Sequence, residues 1–351
     1  MNRNTPFRLR RTIVLALAVA TAIATSTAGA AVDPQFVNPT AGPMVATATA
    51  VPTQLLTGLE GGSGSTIGPD GALYVTEGAA GRISRVDPKT GDITTFASGL
   101  PKSTIGIGGA IDVAFIGETA YALVTLVDSF FPGGSDIDGI YRVDGPDSFT
   151  VVADIGAFSS SNPPNTDFFI PTGLQYALQT YRGGFLVTDG HHNRVLRVTL
   201  DGEVTELIAF DNVVPTGLAV LGNTVYMAEA GPVPHEPEDG KVVSFGPKSP
   251  TATEVASGAS LLVDVEFGRG HLLYALSQGP GVPGADPGSP AQPNTGSLVK
   301  VNGDGTFTVL TDGLDRPTSL EFIGNTAYVV TLTGEIWKID SVSGPPYGVS
   351  R

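Results

Sequence analysis

Acidic side chains at the ends of strand-like segments are the residues of this sequence that could most readily do chemistry. Six positions are expected to meet at one end of a set of strands, and they are Glu77, Asp112, Asp189, Glu229, Asp264 and Gln278. Oxygen atoms that converge in this way could hold calcium, a hard cation with six to eight oxygen ligands. Its candidate ligands are Asp112, Asp189, Glu229 and Asp264. We favour the alternative that these carboxylates accept hydrogen bonds from backbone groups and glycine turns.

Histidine offers a second kind of chemistry. His191 and His192 form the only histidine cluster, and either could supply a metal ligand or a general base, so both are candidate catalytic residues. A solvent-facing turn is the favoured interpretation of this pair, and a solvated loop is that of His235. The segment Asp136-Ile137-Asp138-Gly139 resembles a fragment of a calcium loop but lacks the distal glutamate. Gly-x-Ser-x-Gly, HExxH and phosphate-loop motifs are absent.

A repeated unit must position these residues. Its clearest mark is an aromatic strand, centred on Tyr74, Tyr121, Phe185, Tyr226, Tyr274 and Tyr328. These aromatic residues are 47, 64, 41, 48 and 54 residues apart, irregular through loop insertions but within the range expected of propeller blades. A short inner strand precedes each copy, and two further strands with alternating polarity and glycine turns follow. The sequence therefore predicts an all-β fold, a six-bladed β-propeller of four-stranded antiparallel blades.

The ends of the repeat predict how the ring closes. The sixth copy stops at Ile339-Asp340 without an outer strand. Thr53–Leu59 reads like the outer strand Phe307–Leu314, yet it precedes the first copy. We therefore expect the N-terminal segment to close the ring as the outer strand of the last blade, which would remove exposed sheet edges.

The segments outside the repeat predict export. Residues 1–30 place arginines before an apolar run and end in Ala28-Gly29-Ala30, the pattern of a secretory signal peptide cleaved after Ala30. A secreted or periplasmic location follows, without membrane insertion after cleavage. We expect a flexible spacer at 31–52, the propeller at 53–342 and a short tail at 343–351.

Charge and composition exclude several partners. The net charge is −15, and removal of four arginines and no acids with residues 1–30 lowers it to −19. Such an acidic chain has no basic stripe for nucleic acid and is disfavoured at anionic membranes. With no cysteines, neither a disulfide nor a thiolate site is available. We expect a monomer.

Connection lengths indicate which side of the ring carries function. Four connections are long, and they are 128–138, 154–170, 231–240 and 279–296. Because strands alternate in direction, all four should emerge on one face, together with the candidate carboxylates. Long loops on a rigid scaffold are where binding usually resides.

Two stretches carry a family resemblance. Val187-Thr188-Asp189-Gly190 followed by Asn193-Arg194-Val195-Leu196 resembles an NHL or gluconolactonase (SMP-30-like) repeat. Gly68-Pro69-Asp70-Gly71 leading into Leu73-Tyr74-Val75, with the later Pro-Thr-Gly-Leu inner strand, is similar to the exported ScyD/ScyE family. The gluconolactonase resemblance implies calcium bound by a glutamate at the start of the first inner strand. Here Gly61–Ile67 has no carboxylate, and only Glu60 stands nearby.

These observations favour an exported binding or scaffold module over an enzyme. Its ligand would be a small molecule or a protein held on the acidic, loop-rich face. The alternative is a calcium-dependent hydrolase, lactonase-like or esterase-like, with its site at the mouth of the central channel.

Overall fold

The described part of the chain contains twenty-four strands, one short α-helix and one 3₁₀ turn. The structure is a computed structural model, and it describes residues 50–168, 170–246, 249–285 and 288–344. Within these residues the strands form six antiparallel sheets of four. The first strands of successive sheets lie side by side around a centre, and that of the last sheet contacts that of the first. The fold is therefore a closed six-bladed β-propeller, as predicted.

The first three blades follow the chain in order from the inner strand outward. Blade 1 contains β2 (Gly62–Ile67), β3 (Leu73–Glu77), β4 (Arg82–Val86) and β5 (Ile93–Ser98). Blade 2 contains β6 (Gly109–Ile116), β7 (Thr119–Thr125), β8 (Gly139–Gly145) and β9 (Ser148–Asp154). Blade 3 contains β10 (Gln175–Tyr181), β11 (Gly184–Asp189), β12 (Arg194–Val198) and β13 (Val204–Ala209).

The last three blades repeat this order with one difference. Blade 4 contains β14 (Pro215–Leu221), β15 (Thr224–Glu229), β16 (Gly240–Gly246) and β17 (Ser249–Ala259). Blade 5 contains β18 (Leu262–Phe267), β19 (Leu273–Ser277), β20 (Gly296–Val301) and β21 (Phe307–Leu314). Blade 6 contains β22 (Pro317–Ile323), β23 (Thr326–Thr331), β24 (Glu335–Ile339) and, as its outer strand, β1 (Thr53–Thr57).

The aromatic strands supply much of the packing between blades. Tyr74 of blade 1 stacks edge-on against Phe115 of blade 2, with ring centroids 4.8 Å apart. Tyr226 meets Phe267 of blade 5 at 5.2 Å in the same geometry. Each fully buried aromatic side chain contributes about 1.5–3 kcal/mol through its apolar area. The repeated aromatic strand therefore holds the ring together in place of disulfides.

Two elements of the described residues are not strands. A short helix that the sequence did not predict, α1 (Ile155–Ser161), is capped by the Asp154 side chain, which accepts a hydrogen bond from Ala157 N. Arg269–His271 forms a 3₁₀ turn. The predicted signal peptide and nearly all of the predicted spacer lie outside the described residues. No helix among the residues that are described is long and apolar enough to cross a membrane.

Candidate functional site

The four long connections emerge on one side of the ring, which we call the front face. Three join the second and third strands of a blade, and the fourth, which contains α1, joins β9 to β10. The connections between first and second strands, and between third and fourth strands, are short turns on the opposite side, the back face.

A cavity of about 170 Å³, the front chamber, opens on the front face at the centre of the ring. Residues from all six blades line it. Its walls are mainly glycine backbone and apolar side chains, among them Ile111, Leu126, Leu174, Val214, Leu261 and Val263. Such a surface favours an apolar ligand.

Tyr176 forms the floor of the front chamber. Its hydroxyl donates a hydrogen bond of 3.0 Å to the carbonyl oxygen of Thr318. Since Tyr176 belongs to blade 3 and Thr318 to blade 6, this bond crosses the centre of the ring. Nothing in the sequence marked Tyr176, because the contact joins positions 142 residues apart.

Below Tyr176 the channel continues as a smaller cavity of about 60 Å³, the back vestibule. Its lining includes the carboxyl groups of Asp112, Asp264, Glu266 and Glu321. Burial raises the pKa of Glu266 and of Glu321, and the charges of nearby acids raise that of Glu321 further. Sequence reasoning missed both glutamates, although Glu266 stands two residues after Asp264 and so shares its face of β18.

Most polar groups of the front chamber already have partners inside the protein. Thr216 Oγ1 donates to the carbonyl oxygens of Ala228 and Leu262. Gln278 Nε2 donates to Pro317 O, and its Oε1 accepts from Ala291 N. These side chains join strands and loops, and they leave the chamber with few polar groups to offer a ligand.

Asp112 and Asp264 occupy equivalent positions in opposite blades, where each anchors the next blade. Asp112 Oδ2 accepts a hydrogen bond of 2.6 Å from Leu178 N, and Asp264 Oδ2 accepts one of 2.7 Å from Leu320 N. The register of both receiving strands shifts just before these donors, which frees their N–H groups from the sheet. Burial raises the pKa of Asp112 well above its usual range and that of Asp264 to about 7.

Glycine makes room for these two anchors. A Cβ added at Gly64 would lie 2.1 Å from Asp112 Oδ1, and one added at Gly217 would lie 2.3 Å from Asp264 Oδ1. A larger residue there would displace the carboxylate from its backbone donors.

Glu77 and Asp189 lie at the ends of their strands, outside the lining of the front chamber. Glu77 accepts hydrogen bonds from the Arg82 guanidinium, Ser84 and Glu60 N. Burial would raise its pKa, but these hydrogen bonds outweigh that effect and lower it overall.

Asp189 is fully buried and pairs with Arg194 Nε at 3.0 Å. It also accepts from Ser159 Oγ at 2.9 Å and from Leu174 N. The pKa of Asp189 is lowered despite burial, since His192, Arg194 and Ser159 stabilise the carboxylate. Asp189 therefore connects α1, the residue just before β10, and β12.

Glu229 is the least satisfied of the predicted carboxylates. It is buried opposite Lys241 in the sheet and is not part of the chamber lining. Burial raises its pKa to about 7, although the charge of Lys241 acts in the other direction.

The histidines depart from the expected solvent exposure. His191 and His192 are both buried, so the prediction of a solvent-facing turn is wrong. His192 Nε2 lies 2.9 Å from Ile170 O, and its Nδ1 lies 3.1 Å from Arg194 Nη2. These bonds occupy both ring nitrogens of His192 and give it a structural role.

His191 and His235 both line the front chamber. The loop around His235 is exposed, as expected, but His235 itself is half-buried. Its Nδ1 is buried and has no hydrogen-bond partner among the described residues. Burial is the largest cause that lowers the pKa of His191 to about 4, and the nearby His235 is the second. Burial also lowers the pKa of His235. At neutral pH both imidazoles are uncharged, so each has one donor and one acceptor nitrogen.

The residues present do not assemble the expected calcium site. Across the part of the chain that the structure describes, no three or more His, Asp or Glu side chains are grouped so that they could hold a metal ion. The four candidate ligands instead lie in two separate regions of the ring. Asp112 and Asp264 accept backbone hydrogen bonds beside the channel, while Asp189 and Glu229 lie at strand ends. Calcium binding by these four residues stays a prediction.

Comparison with known proteins shows likeness at the level of structure. No protein-family model and no curated protein matches this sequence. Solved structures do match. A putative glucose dehydrogenase from Thermus thermophilus is 17% identical with a TM-score of 0.57, and the match covers 83% of this chain and 99% of that one.

Two further matches have other activities in their descriptions. A gluconolactonase from Xanthomonas campestris is 12% identical with a TM-score of 0.57, covering 83% of this chain and 89% of that one. Virginiamycin B lyase from Staphylococcus aureus is 14% identical with a TM-score of 0.52, covering 83% and 99%. The likeness is one of fold. At these identities it shows a shared six-bladed propeller fold and leaves the activity of this chain open.

Proposed function

We propose that this protein binds a small uncharged molecule through a ring-sized apolar group that enters the front chamber. The observation that carries the proposal is the chemistry of the chamber walls. They are mainly apolar, and most of their polar side chains are bonded within the protein. The two histidines that line them are uncharged at neutral pH.

The size of the chamber limits what can enter. Its volume is about 170 Å³. An apolar protein cavity of about 150 Å³ holds a benzene-sized molecule. A single ring or a short branched chain therefore fits inside, and the rest of a larger ligand would lie among the front loops.

Exposed apolar side chains on those loops would extend the contact. Five of the exposed large hydrophobic residues lie on front-face connections, and they are Ile107, Phe130, Ile137, Phe168 and Val282. Apolar groups around a cavity mouth are typical of binding sites. The acidic charge of the chain disfavours anionic ligands.

Titration with N-phenyl-1-naphthylamine, an uncharged aromatic fluorophore, tests the proposal. We expect saturable binding with a blue-shifted emission. Ala79→Trp would place a large ring at the exposed mouth of the chamber and should weaken binding at least tenfold. Leu200→Trp, on an exposed turn of the back face, is the matched control and should bind like the unaltered protein. Absence of binding, or an equal loss in both variants, would overturn the proposal.

A second candidate function is catalysis on the bound molecule, with His191 or His235 as a general base. Two uncharged imidazoles beside one cavity support it. A propeller of similar fold offers a parallel, since a histidine-to-alanine variant of Staphylococcus aureus virginiamycin B lyase is described as catalytically inactive. Hydrolysis or elimination assays with ester and lactone substrates, with and without calcium, would detect such activity. His191→Gln and His235→Gln should abolish turnover while the fluorophore still binds.

We also infer that the protein acts after export, on the strength of its N-terminal basic, apolar and small-residue pattern. Membership of the ScyD/ScyE family and a monomeric state remain proposals of the same kind. Mass spectrometry of the mature N-terminus would test export, and a product beginning at residue 1 would contradict it.

A further inference from the structure

At the front end of each blade, the last residue of the second strand lies opposite a residue at the start of the third strand. In three blades these positions hold an acid and a base that face each other in register. The pairs are Glu77 with Arg82, Asp189 with Arg194, and Glu229 with Lys241. In blades 1 and 3 the base forms an ion pair with the buried acid and balances its charge. In blade 4 Lys241 pairs with Glu254 instead, and the pKa of Glu229 stays raised.

Blade 2 breaks this rule. Its register, continued by one residue, places Asp138 opposite Thr125, so an acid stands where blades 1, 3 and 4 have a base. Blade 6 likewise places Glu335 opposite Thr331, but both oxygens of Glu335 accept hydrogen bonds, from Gln54 Nε2 and Trp337 Nε1. Asp138 is 1% exposed. Its Oδ1 accepts a hydrogen bond of 2.9 Å from Val127 N, but Oδ2 has no partner among the described residues.

A second unpartnered oxygen lies beside it. Thr172 is 7% exposed, and its Oγ1 likewise has no hydrogen-bond partner in the described part of the chain. Both side chains pack around Gly156, since a Cβ added there would lie 3.1 Å from Asp138 Cβ and 3.4 Å from Thr172 Cβ. The Thr172 hydroxyl lies near enough to the Asp138 carboxyl to lower its pKa, yet neither Asp138 Oδ2 nor Thr172 Oγ1 forms a hydrogen bond of regular geometry within the described residues. Buried polar groups are normally paired.

The charges that shift pKa values at this place come from acids. Burial raises the pKa of Asp138 to about 6, and the nearby charge of Asp128 adds to the effect. Asp154 acts in turn on Asp128, and Asp136 and Asp154 both act on the Tyr141 phenol beside Asp138. No salt bridge to Asp138 occurs among the described residues. Above pH 6 the carboxylate is therefore charged and lacks a countercharge.

We propose that a hard cation of the calcium class binds between blades 2 and 3, held by Asp138 Oδ2 and Thr172 Oγ1 with the Asp128 carboxylate as a further ligand. The cation supplies the positive charge that Arg82 and Arg194 supply in blades 1 and 3. Two carboxylates and a hydroxyl are hard oxygen ligands, and water completes the coordination. A bound water alone would satisfy the hydrogen bonds but leave the charge of Asp138 unbalanced.

The loop that contains these acids is held in a fixed shape around the site. Asp136 N donates to Val127 O, and Gly134 N donates to Phe131 O. Asp138 O accepts from Gly156 N at the start of α1. The cation would therefore connect the 128–138 connection of blade 2 to the entry of blade 3, next to the front chamber.

Terbium luminescence tests this site, because Tyr141 lies beside it and can sensitise a bound terbium ion. With residues 31–351 at pH 7.5, we expect terbium emission that calcium displaces, and a higher melting temperature in calcium. Asp138→Asn keeps the acceptor for Val127 N and should weaken terbium and calcium binding at least tenfold. Thr172→Val should weaken both by about three- to tenfold. Asp136→Asn, an exposed acid of the same loop, is the matched control and should change affinity less than twofold.

Three results would overturn the inference. One is the absence of any calcium effect on either emission or melting. Another is binding that survives in Asp138→Asn. The third is an equal loss in Asp138→Asn and Asp136→Asn, which would indicate diffuse attraction to an acidic surface. Ala79→Trp, which blocks the front chamber, should leave terbium binding unchanged, so this test is independent of the proposed ligand.

Discussion

The front chamber and the back vestibule are two halves of one channel with opposite chemistry. The same six inner strands border the channel, and Tyr176 divides it. The chamber is mainly apolar, and the histidines that line it have lowered pKa values. The vestibule contains carboxyl groups whose pKa values are raised by burial.

This contrast shows that charge varies along the inner strands. Front ends of these strands contribute residues such as Thr216, Gly217 and Thr318, while back halves contribute Glu266 and Glu321. Asp112 and Asp264 line both cavities, but Glu266 and Glu321 line only the vestibule, so fewer carboxyl groups border the cavity that opens on the loop-rich face. A ligand entering the front chamber meets apolar walls although the protein as a whole is acidic.

The largest expected effect comes from breaking the ring that encloses both halves. β1 contributes Leu55 and Leu56 to the packing of blade 6, and Leu59 is buried just beyond it. A protein beginning at Glu60 should lose about 4 kcal/mol or more of unfolding free energy, since each buried leucine contributes about 1.5–3 kcal/mol. Urea denaturation against a protein beginning at Ala50 measures this loss. Equal stability of the two would contradict closure by the N-terminal strand.

The next largest effect distinguishes vestibule carboxylates that accept backbone hydrogen bonds from one that does not. Asp112→Ala or Asp264→Ala leaves backbone donors such as Leu178 N or Leu320 N unsatisfied, so each should cost about 2–4 kcal/mol of unfolding free energy. Glu321→Gln is the control in the same vestibule, because no hydrogen bond to the Glu321 carboxyl occurs within the described residues, and it should be neutral or stabilising. Similar losses in all three variants would show that the vestibule carboxyls are equivalent.

The two halves should respond to pH in opposite directions. Burial raises the pKa of Asp264 from 3.8 to about 7, so its contribution is fully present below pH 3.8 and is lost as the pH rises through 7. The lowered pKa of His191 has the reverse consequence, because the unfolded chain takes up a proton below 6.5, and stability is lost as the pH falls towards 4.

Melting temperatures between pH 4 and 8.5 would measure both effects. Glu266→Gln should reduce the loss at high pH by about 2–3 °C, and His191→Gln should reduce the loss at low pH by a similar amount. If both substitutions flattened the same limb of the curve, the assignment of opposite chemistry to the two halves would be wrong.

The smallest effect concerns the floor between the halves. Tyr176→Phe removes the hydroxyl that donates to Thr318 O and should cost about 1 kcal/mol of unfolding free energy. Fluorophore affinity should fall about two- to fivefold as the floor loosens. Tyr226→Phe is the matched control, since no hydrogen bond of its hydroxyl to a described residue is found. If Tyr176→Phe changed neither the unfolding free energy nor the fluorophore affinity, the hydroxyl of Tyr176 would not hold the floor in place.

Local patterns in the sequence were enough to predict the fold. The aromatic strands, the period-two alternation and the glycine turns recur in each copy, and each specifies structure within about ten residues of itself. Loop lengths also identified the front face, because strand direction must alternate along a meander. Asp112 and Asp264 belong to blades 2 and 5, so the order of the blades alone predicts that they lie opposite each other in the ring.

The tertiary structure decided what the acidic and histidine side chains do. Asp189 and Asp264 look alike in sequence, yet one pairs with Arg194 and the other accepts a backbone N–H of the next blade. His192 proved structural and His235 faces the chamber, although the sequence predicted solvent exposure for both. Such roles depend on register shifts in the inner strands and on contacts between blades. Because those contacts join residues far apart in the chain, as the bond between Tyr176 and Thr318 does, no local pattern could reveal them.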